Sequence, residues 1–156
     1  WIRDGKFVNQ MNKHKKSGGD QFLRSLELCV ISPSSVLLKK ELLEEFNEFS
    51  EDYIVCEDYD LWLKLTQKYP IGFLEQALVI KYGGHEDQLS KSIIAMDYFR
   101  IKSIDWIISN SSLSPEKKMH AINILRKKCR VLLAGYKKHK NMSNFDEVTL
   151  IARKYS

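Results

Sequence analysis

Glycine, proline and cysteine are scarce in this chain, which contains 7, 3 and 3 of them among 156 residues. Together with a hydrophobic content of 44%, this scarcity excludes the collagen-like, low-complexity and intrinsically disordered classes. No apolar run approaches the roughly 18–20 residues that a membrane-spanning helix needs. A secretory signal pattern of charge, apolar run and small-residue cleavage site is also missing. Length and apolar content therefore predict one globular domain with a buried core.

The three cysteines, Cys29, Cys56 and Cys129, are odd in number and lie far apart in the sequence. They form no Cys-x-x-Cys motif and no cysteine–histidine spacing of the kind that holds a structural zinc ion. We therefore predict reduced, buried or half-buried thiols in a cytoplasmic protein.

The net charge of +5 is distributed over a basic, an acidic and a second basic segment. Residues 1–16 carry five basic residues against one acidic residue, and residues 39–60 carry nine acidic residues against two lysines. Residues 115–140 carry nine lysines and arginines against Glu116 alone. Solvated charged surfaces explain each segment separately. The ordered pattern also fits an anionic ligand or surface at the ends and cation or proton chemistry in the middle.

Local patterns predict a mixed α/β organisation for residues 1–90. Asp4-Gly5 between two short runs with apolar residues predicts a β-hairpin turn. Further short strands are predicted at 26–32, 35–38, 71–74 and 78–82, and helices at 39–46 and 56–69. Asn47 is suited to end the first of these helices in the left-handed conformation, and Pro70 ends the second.

Residues 91–156 are predicted to be entirely helical. Apolar residues recur at spacings of three and four in a first helix, at Ile94, Tyr98, Ile101, Ile104 and Ile108. A second helix begins with Ser114 as N-cap and Pro115 at its first position. Its apolar face consists of Ile122, Leu125, Cys129, Leu132 and Tyr136, and Ile124 and Val131 interrupt its basic side. A last helix is predicted at 146–154.

The densest chemical signal is the run Glu-Asp-Tyr-Asp-Leu-Trp-Leu at 57–63. Adjacent carboxylates at a helix start are favoured by the helix dipole, and simple helix capping is one interpretation. An ionised aspartate within hydrogen-bond reach of a hydroxyl is also a general base, which is the other interpretation.

This run, together with Glu-Phe-Asn-Glu-Phe-Ser-Glu-Asp at 45–52, resembles the acidic motif of family 2 glycosyltransferases of the GT-A fold. Asn47 stands where that family usually has glycine. The segment Lys-Tyr-Gly-Gly-His-Glu-Asp-Gln-Leu-Ser at 81–90 resembles a later segment of one bacterial branch, as do residues 1–5 with Val8 and Asn9. The resemblance covers roughly residues 1–110. It implies a partial GT-A-like mixed sheet with helices, followed by an all-helical C-terminal segment.

The resemblance also implies roles for single residues in an inverting sugar transfer. Asp58 corresponds to the base that takes the proton from the acceptor hydroxyl, and Glu57 orients the acceptor or the base. His85 contacts the donor diphosphate or a metal ion, or is an ordinary surface residue. Lys81 neutralises the diphosphate or is simply solvated. Trp62, one turn beyond Asp58, contacts substrate or packs in the core, and Gln88 is a further candidate for substrate contact.

One departure from the family concerns its nucleotide-binding half, which carries an Asp-x-Asp metal motif at a strand end. Asp58-Tyr59-Asp60 matches that motif as a string but sits on a helix, so we do not assign it to the metal.

The chain is expected to be the acceptor-side part of a longer enzyme and inactive alone, with residues 1–90 in the catalytic domain and 91–156 as a helical extension. Mn²⁺ or Mg²⁺ is expected in the complete enzyme, with its main ligands outside this chain.

The resemblance implies a nucleotide-sugar donor, a saccharide or lipid-linked acceptor and a cytoplasmic location, with peripheral contact to anionic membrane through the basic segment 115–140. The alternative is a basic helical module that binds nucleic acid or another polyanion through the same segment. No recognised nucleic-acid motif supports the alternative, and the acidic middle of the chain argues against it. We therefore expect no nucleic-acid partner.

Overall fold

A computed structural model describes residues 2–3, 5–8, 11–83 and 96–156. The protein is mostly helical and carries one small sheet, which confirms the α/β class in its coarse form. Single 3-10 turns at Asn12–His14 and Pro33–Ser35 lie in the connecting segments.

The sheet has three very short strands in the order β2-β1-β3. Strands β1 (Ile2–Arg3) and β2 (Lys6–Phe7) are antiparallel, with Ile2 opposite Phe7, which confirms the predicted hairpin. Gly5 in the turn has φ 72°, a conformation that glycine adopts without steric cost. Strand β3 (Tyr82–Gly83) runs parallel to β1, with Ile2 opposite Tyr82.

Most of the other predicted strands are wrong. Residues Phe22–Glu27 form a helix, α1, because Phe22 and Leu26 are four residues apart and bury one helical face. The Asp20 carboxylate also accepts a hydrogen bond from the Phe22 backbone N–H at 3.0 Å, which supports the helix start. Residues 28–32 and 36–39 form no strand. In the predicted strand 71–74, Ile71 forms only an isolated β-bridge with Gly19. In the predicted strand 78–82, only Tyr82 belongs to a strand.

The predicted helices are present with small changes in their bounds. They are α2 (Lys40–Glu45), α3 (Glu57–Thr66), α4 (Asp97–Asn110), α5 (Pro115–His139) and α6 (Phe145–Lys154). Asn47 follows α2 with φ 57°, as predicted. The Ser114 hydroxyl accepts a hydrogen bond from the Lys117 backbone N–H at 3.3 Å and caps α5, also as predicted. Ile94 lies outside the described residues.

The main core joins α1 and α3 to the three C-terminal helices. Leu26, Leu63, Ile104 and Leu125 are fully buried in it, and Val148 of α6 completes it. The α5 face proposed from the sequence is buried, except that Ile122 is only partly buried. Ile124 is buried in the same core, so its predicted place on the basic side is wrong. Val131 is exposed, as predicted.

A second, smaller cluster packs α3 on the segment before it. Leu61, Trp62 and Leu65 contact Leu42 and Phe46 of the α2 region, together with other partly buried residues. Helix α3 is therefore held from two sides, and this fixes the direction in which its first turn points.

Candidate active site at the start of helix α3

Helix α3 begins abruptly at Glu57, since Cys56 before it adopts the left-handed conformation with φ 64°. Glu57, Asp58 and Asp60 fill the first turn, where the unpaired backbone N–H groups and the helix dipole favour negative charge. Tyr59 anchors this turn: its ring is buried and its hydroxyl donates to the Leu26 carbonyl at 2.7 Å.

Asp58 is half-buried, and each of its carboxylate oxygens has a partner. Oδ1 accepts a hydrogen bond from the Tyr59 backbone N–H at 2.7 Å, and Oδ2 lies 3.5 Å from the Cys29 Sγ, whose thiol donates to it. Glu57 beside it is also half-buried and forms no hydrogen bond or ion pair within the part of the chain that is described. Two neighbouring carboxylates are therefore available: that of Asp58 is oriented by hydrogen bonds, and that of Glu57 has no partner among the described residues.

Cys29 is a neutral hydrogen-bond donor in this arrangement. Burial, and secondly the charge of Asp58 and the hydrogen bond to it, raise the pKa of the Cys29 thiol to about 12. The thiol therefore stays protonated at neutral pH and directs its hydrogen towards Asp58 or the Ile31 carbonyl, 3.4 Å away. Sequence patterns do not indicate that Cys29 is a neighbour of Asp58, because Cys29 lies 29 residues upstream in a run that predicted a strand.

Asp60 has a different environment from Asp58. It is 2% exposed, and its Oδ2 lies 2.6 Å from the Lys64 Nζ. A carboxylate that is buried and paired with a lysine is not available to a metal ion. No group of three or more histidine, cysteine or acidic residues that could hold a metal occurs among the described residues. Because Asp60 is buried and paired, Asp58-Tyr59-Asp60 does not suit Mn²⁺ or Mg²⁺.

Trp62 is placed as a packing residue. It is 4% exposed, and its ring meets that of Phe49 edge to face, with centroids 6.5 Å apart. Its indole N–H is buried without a hydrogen-bond partner in the described ranges. The alternative of core packing, left open by the sequence, is the one that this burial supports.

Lys81 lies near the same segment as Asp58. Its Nζ donates to the Ser32 hydroxyl at 3.3 Å, three residues along the chain from Cys29. His85 and Gln88 lie outside the described residues, so they remain predictions. Asp58 thus contacts Cys29 and Lys81 contacts Ser32, two positions of the same short segment.

Arg100 is a further charged group near the start of α3 that sequence patterns did not indicate. It is held by Asp97, with 3.0 Å between Nη1 and Oδ1, and its guanidinium lies 5.8 Å from the centre of the Tyr59 ring. Its positive charge also acts on the Cys29 and Cys56 thiols. Because Arg100 follows the acidic motif by about forty residues, only the packing of α4 on α3 reveals this proximity.

Comparison with known proteins found no match for this chain among family models, curated proteins or solved structures. Within the described ranges, none of the helices is both long enough and apolar enough to cross a bilayer.

Proposed function

We propose that this chain is the acceptor-side part of an inverting, nucleotide-sugar-dependent glycosyltransferase with Asp58 as its general base. The observation that carries the proposal is the Asp58 carboxylate, half-buried at the start of α3 and oriented by the Tyr59 N–H and the Cys29 thiol. Such a group has the two properties that a base needs, a fixed direction and access to a ligand.

In the proposed reaction, Asp58 accepts the proton of an acceptor hydroxyl as its oxygen attacks the anomeric carbon of the donor sugar. The bond from that carbon to the nucleoside diphosphate breaks on the opposite face, so the configuration inverts. Glu57 orients the acceptor, for which its uncommitted carboxylate is available. Lys81 faces the departing diphosphate, with His85 and Gln88 as further proposed contacts.

The proposed partners follow from the proposed inverting sugar transfer. A nucleotide sugar is the donor, and a saccharide or lipid-linked saccharide is the acceptor. The exposed cations of α5 are proposed to hold the protein at the anionic inner face of the cytoplasmic membrane. Mn²⁺ or Mg²⁺ belongs to the nucleotide-binding half in this proposal, since the residues described here do not fit it.

The second candidate, a polyanion-binding module, is favoured by one observation: several cations of α5 are exposed and unpaired within the described residues. Lys127, Arg130 and Lys138 are examples. Phosphate neutralisation by such residues produces binding that weakens steeply with salt.

The test is an assay of a longer protein that contains this chain together with the residues before it, against a panel of sugar nucleotides. We expect hydrolysis or transfer with one donor, and no transfer by the 156-residue chain alone, because its Asp58-Tyr59-Asp60 string lies on helix α3 and not at a strand end. Absence of turnover with every donor, combined with salt-sensitive binding of duplex DNA, would select the polyanion-binding module instead.

A further inference from the structure

One face of the three-stranded sheet is apolar and exposed. Ile2 of β1 lies opposite Phe7 of β2 and opposite Tyr82 of β3, and residues that lie opposite one another in a sheet point to the same face. Phe7 and Tyr82 are 76% and 58% exposed. Within the described residues, neither core cluster includes a residue of this sheet. The packing of the helices therefore leaves an apolar row across all three strands uncovered.

The chain that leads into β3 adds further exposed apolar surface. Three consecutive aliphatic residues there are between 51 and 65% exposed: Leu78, Val79 and Ile80. Backbone hydrogen bonds hold this segment at both ends. The Gly19 N–H donates to the Ile71 carbonyl at 2.8 Å, and the Ile2 N–H donates to the Lys81 carbonyl at 2.9 Å. The exposed residues thus lie between two fixed points of the backbone.

The area of this apolar surface is large for a monomer. Phe7, Tyr82 and residues 78–80 together expose on the order of 600 Å². The largest apolar patch on a typical monomer is about 300–600 Å² and often marks a contact site. Two copies that covered these residues would remove on the order of 1,200 Å² from water, which reaches the lower end of the range for stable interfaces.

The distribution of charge favours an uncharged partner for this surface. Side chains alternate along a strand, so Arg3 and Lys6, which lie opposite one another, point to the other face of the sheet. An acidic protein is therefore attracted to that other face and to α5, and not to the apolar surface. The net charge of +5 repels copies of the protein from one another, so two copies approach best through a surface without charge.

We propose that the apolar surface of the sheet is covered by the same surface of a second copy of this chain, with the two sheets packed face to face. Such a contact is isologous, because the same residues serve both copies about a twofold axis, and the assembly closes at a dimer. Apolar faces of two sheets pack about 10 Å apart with interdigitating side chains. The inference concerns association and does not rest on the proposed sugar transfer.

The test is the molar mass of the 156-residue protein, measured by sedimentation equilibrium over a wide range of concentrations. We expect a monomer–dimer equilibrium with a dissociation constant on the order of micromolar, since the interface is small. I80E buries a charge in the contact and should raise the dissociation constant about tenfold or more. L150E is the matched control, because Leu150 of α6 is also 65% exposed but lies outside the sheet, and it should dimerise like the wild type. F7E repeats the test from β2, and circular dichroism verifies that each variant is folded.

Three results would overturn the inference. A wild type that stays monomeric at every concentration would leave this surface to a different protein or to a bilayer. Equal weakening by I80E and L150E would show that association does not use the sheet. Growth beyond the dimer would exclude a closed face-to-face pair. None of these measurements involves turnover, so the inference fails or succeeds independently of the proposed function.

Discussion

Asp60 and Lys64 form a buried ion pair where α3 meets α4. The carboxylate and ammonium lie 2.6 Å apart, and their side chains are 2% and 14% exposed. The ammonium lies off the hydrogen-bonding direction of Oδ2, so the contact is an ion pair without a directed hydrogen bond. Lys64 also lies 4.8 Å from the centre of the Trp106 ring of α4. Removal of one partner would leave a charge with little water around it.

We expect D60A to lower the free energy of unfolding by about 3 kcal/mol, the loss typical of a broken buried pair. Urea denaturation followed by circular dichroism measures this change. E44A is the matched control, because the Lys40–Glu44 pair has the same i, i+4 spacing but is 83% and 56% exposed. Its effect should stay within about 0.5 kcal/mol. Equal effects of the two substitutions would contradict the account of Asp60.

Asp58 and Asp60 also show what sequence can predict about single residues. The pattern predicted acids in the first turn of α3 because the helix dipole favours them there. It could not predict that Asp58 faces Cys29 while Asp60 is buried beside Lys64, since that depends on which side of α3 packs on the core. The contact of Lys16 with Val30 was missed for a similar reason: it joins residues 14 positions apart through a loop without periodicity.

The lysines and arginines of helix α5 form two groups: some are partly buried and form ion pairs, and others are exposed and form none among the described residues. Two partly buried lysines pair with acids of other segments, Lys117 with Asp20 at 2.8 Å and Lys128 with Asp97 at 3.3 Å. Outward cations, such as Lys127, Arg130 and Lys138, form no ion pair within the described part of the chain. The outward face is therefore positively charged along a helix of 25 residues.

We expect the protein to bind vesicles in proportion to their anionic lipid, and to release them as salt rises, since each surface cation contributes about 1 kcal/mol. Sedimentation with vesicles of increasing phosphatidylserine content measures this. K127E/R130E/K138E should abolish binding, whereas K6E/K39E/K40E, with the same change in charge on other exposed residues, should retain most of it. Binding that ignores lipid charge, or none at low salt, would contradict the proposed membrane contact.

The C-terminal helices could be predicted because two independent signals agreed. In α5, the spacing of apolar residues and the Ser114–Pro115 start both indicated the same helix, and α6 begins one residue from its predicted position. The strands were harder to predict, since a short apolar run is compatible with either a strand or a segment of a buried helix. For Leu26, the spacing of four from Phe22 and the hydrogen bond from the Phe22 N–H to Asp20 favour a helix, and both involve residues before the predicted strand.

The folded protein as a whole retains protons that the unfolded chain would release at alkaline pH. Burial raises the pKa of Cys29 to about 12 and of Cys129 to about 11, from an ordinary value of 9.0. Burial raises the pKa of Tyr53 to about 12, from 10.0. The folded state therefore binds more protons than the unfolded state between about pH 9 and 12, and stability falls as pH rises through that range.

We expect the urea midpoint to be nearly constant from pH 7 to 8.5 and to decrease steadily from pH 9 to 11. Y53F removes one of the responsible groups, so its midpoint should depend less steeply on pH above 9.5. A midpoint that stays constant up to pH 11 would contradict the burial of these three groups.

The central claim is that Asp58 acts as the base in a sugar transfer. The most direct test compares wild type and D58N in the complete enzyme, with the transfer rate and the donor affinity measured separately. The account predicts a rate lower by about 10²–10⁴-fold, because proton removal from the attacking hydroxyl is lost, while donor affinity changes little. D52N, which alters an exposed acid of the same segment, should retain wild-type activity. Near wild-type turnover by D58N would contradict the claim and remove Asp58 from the mechanism.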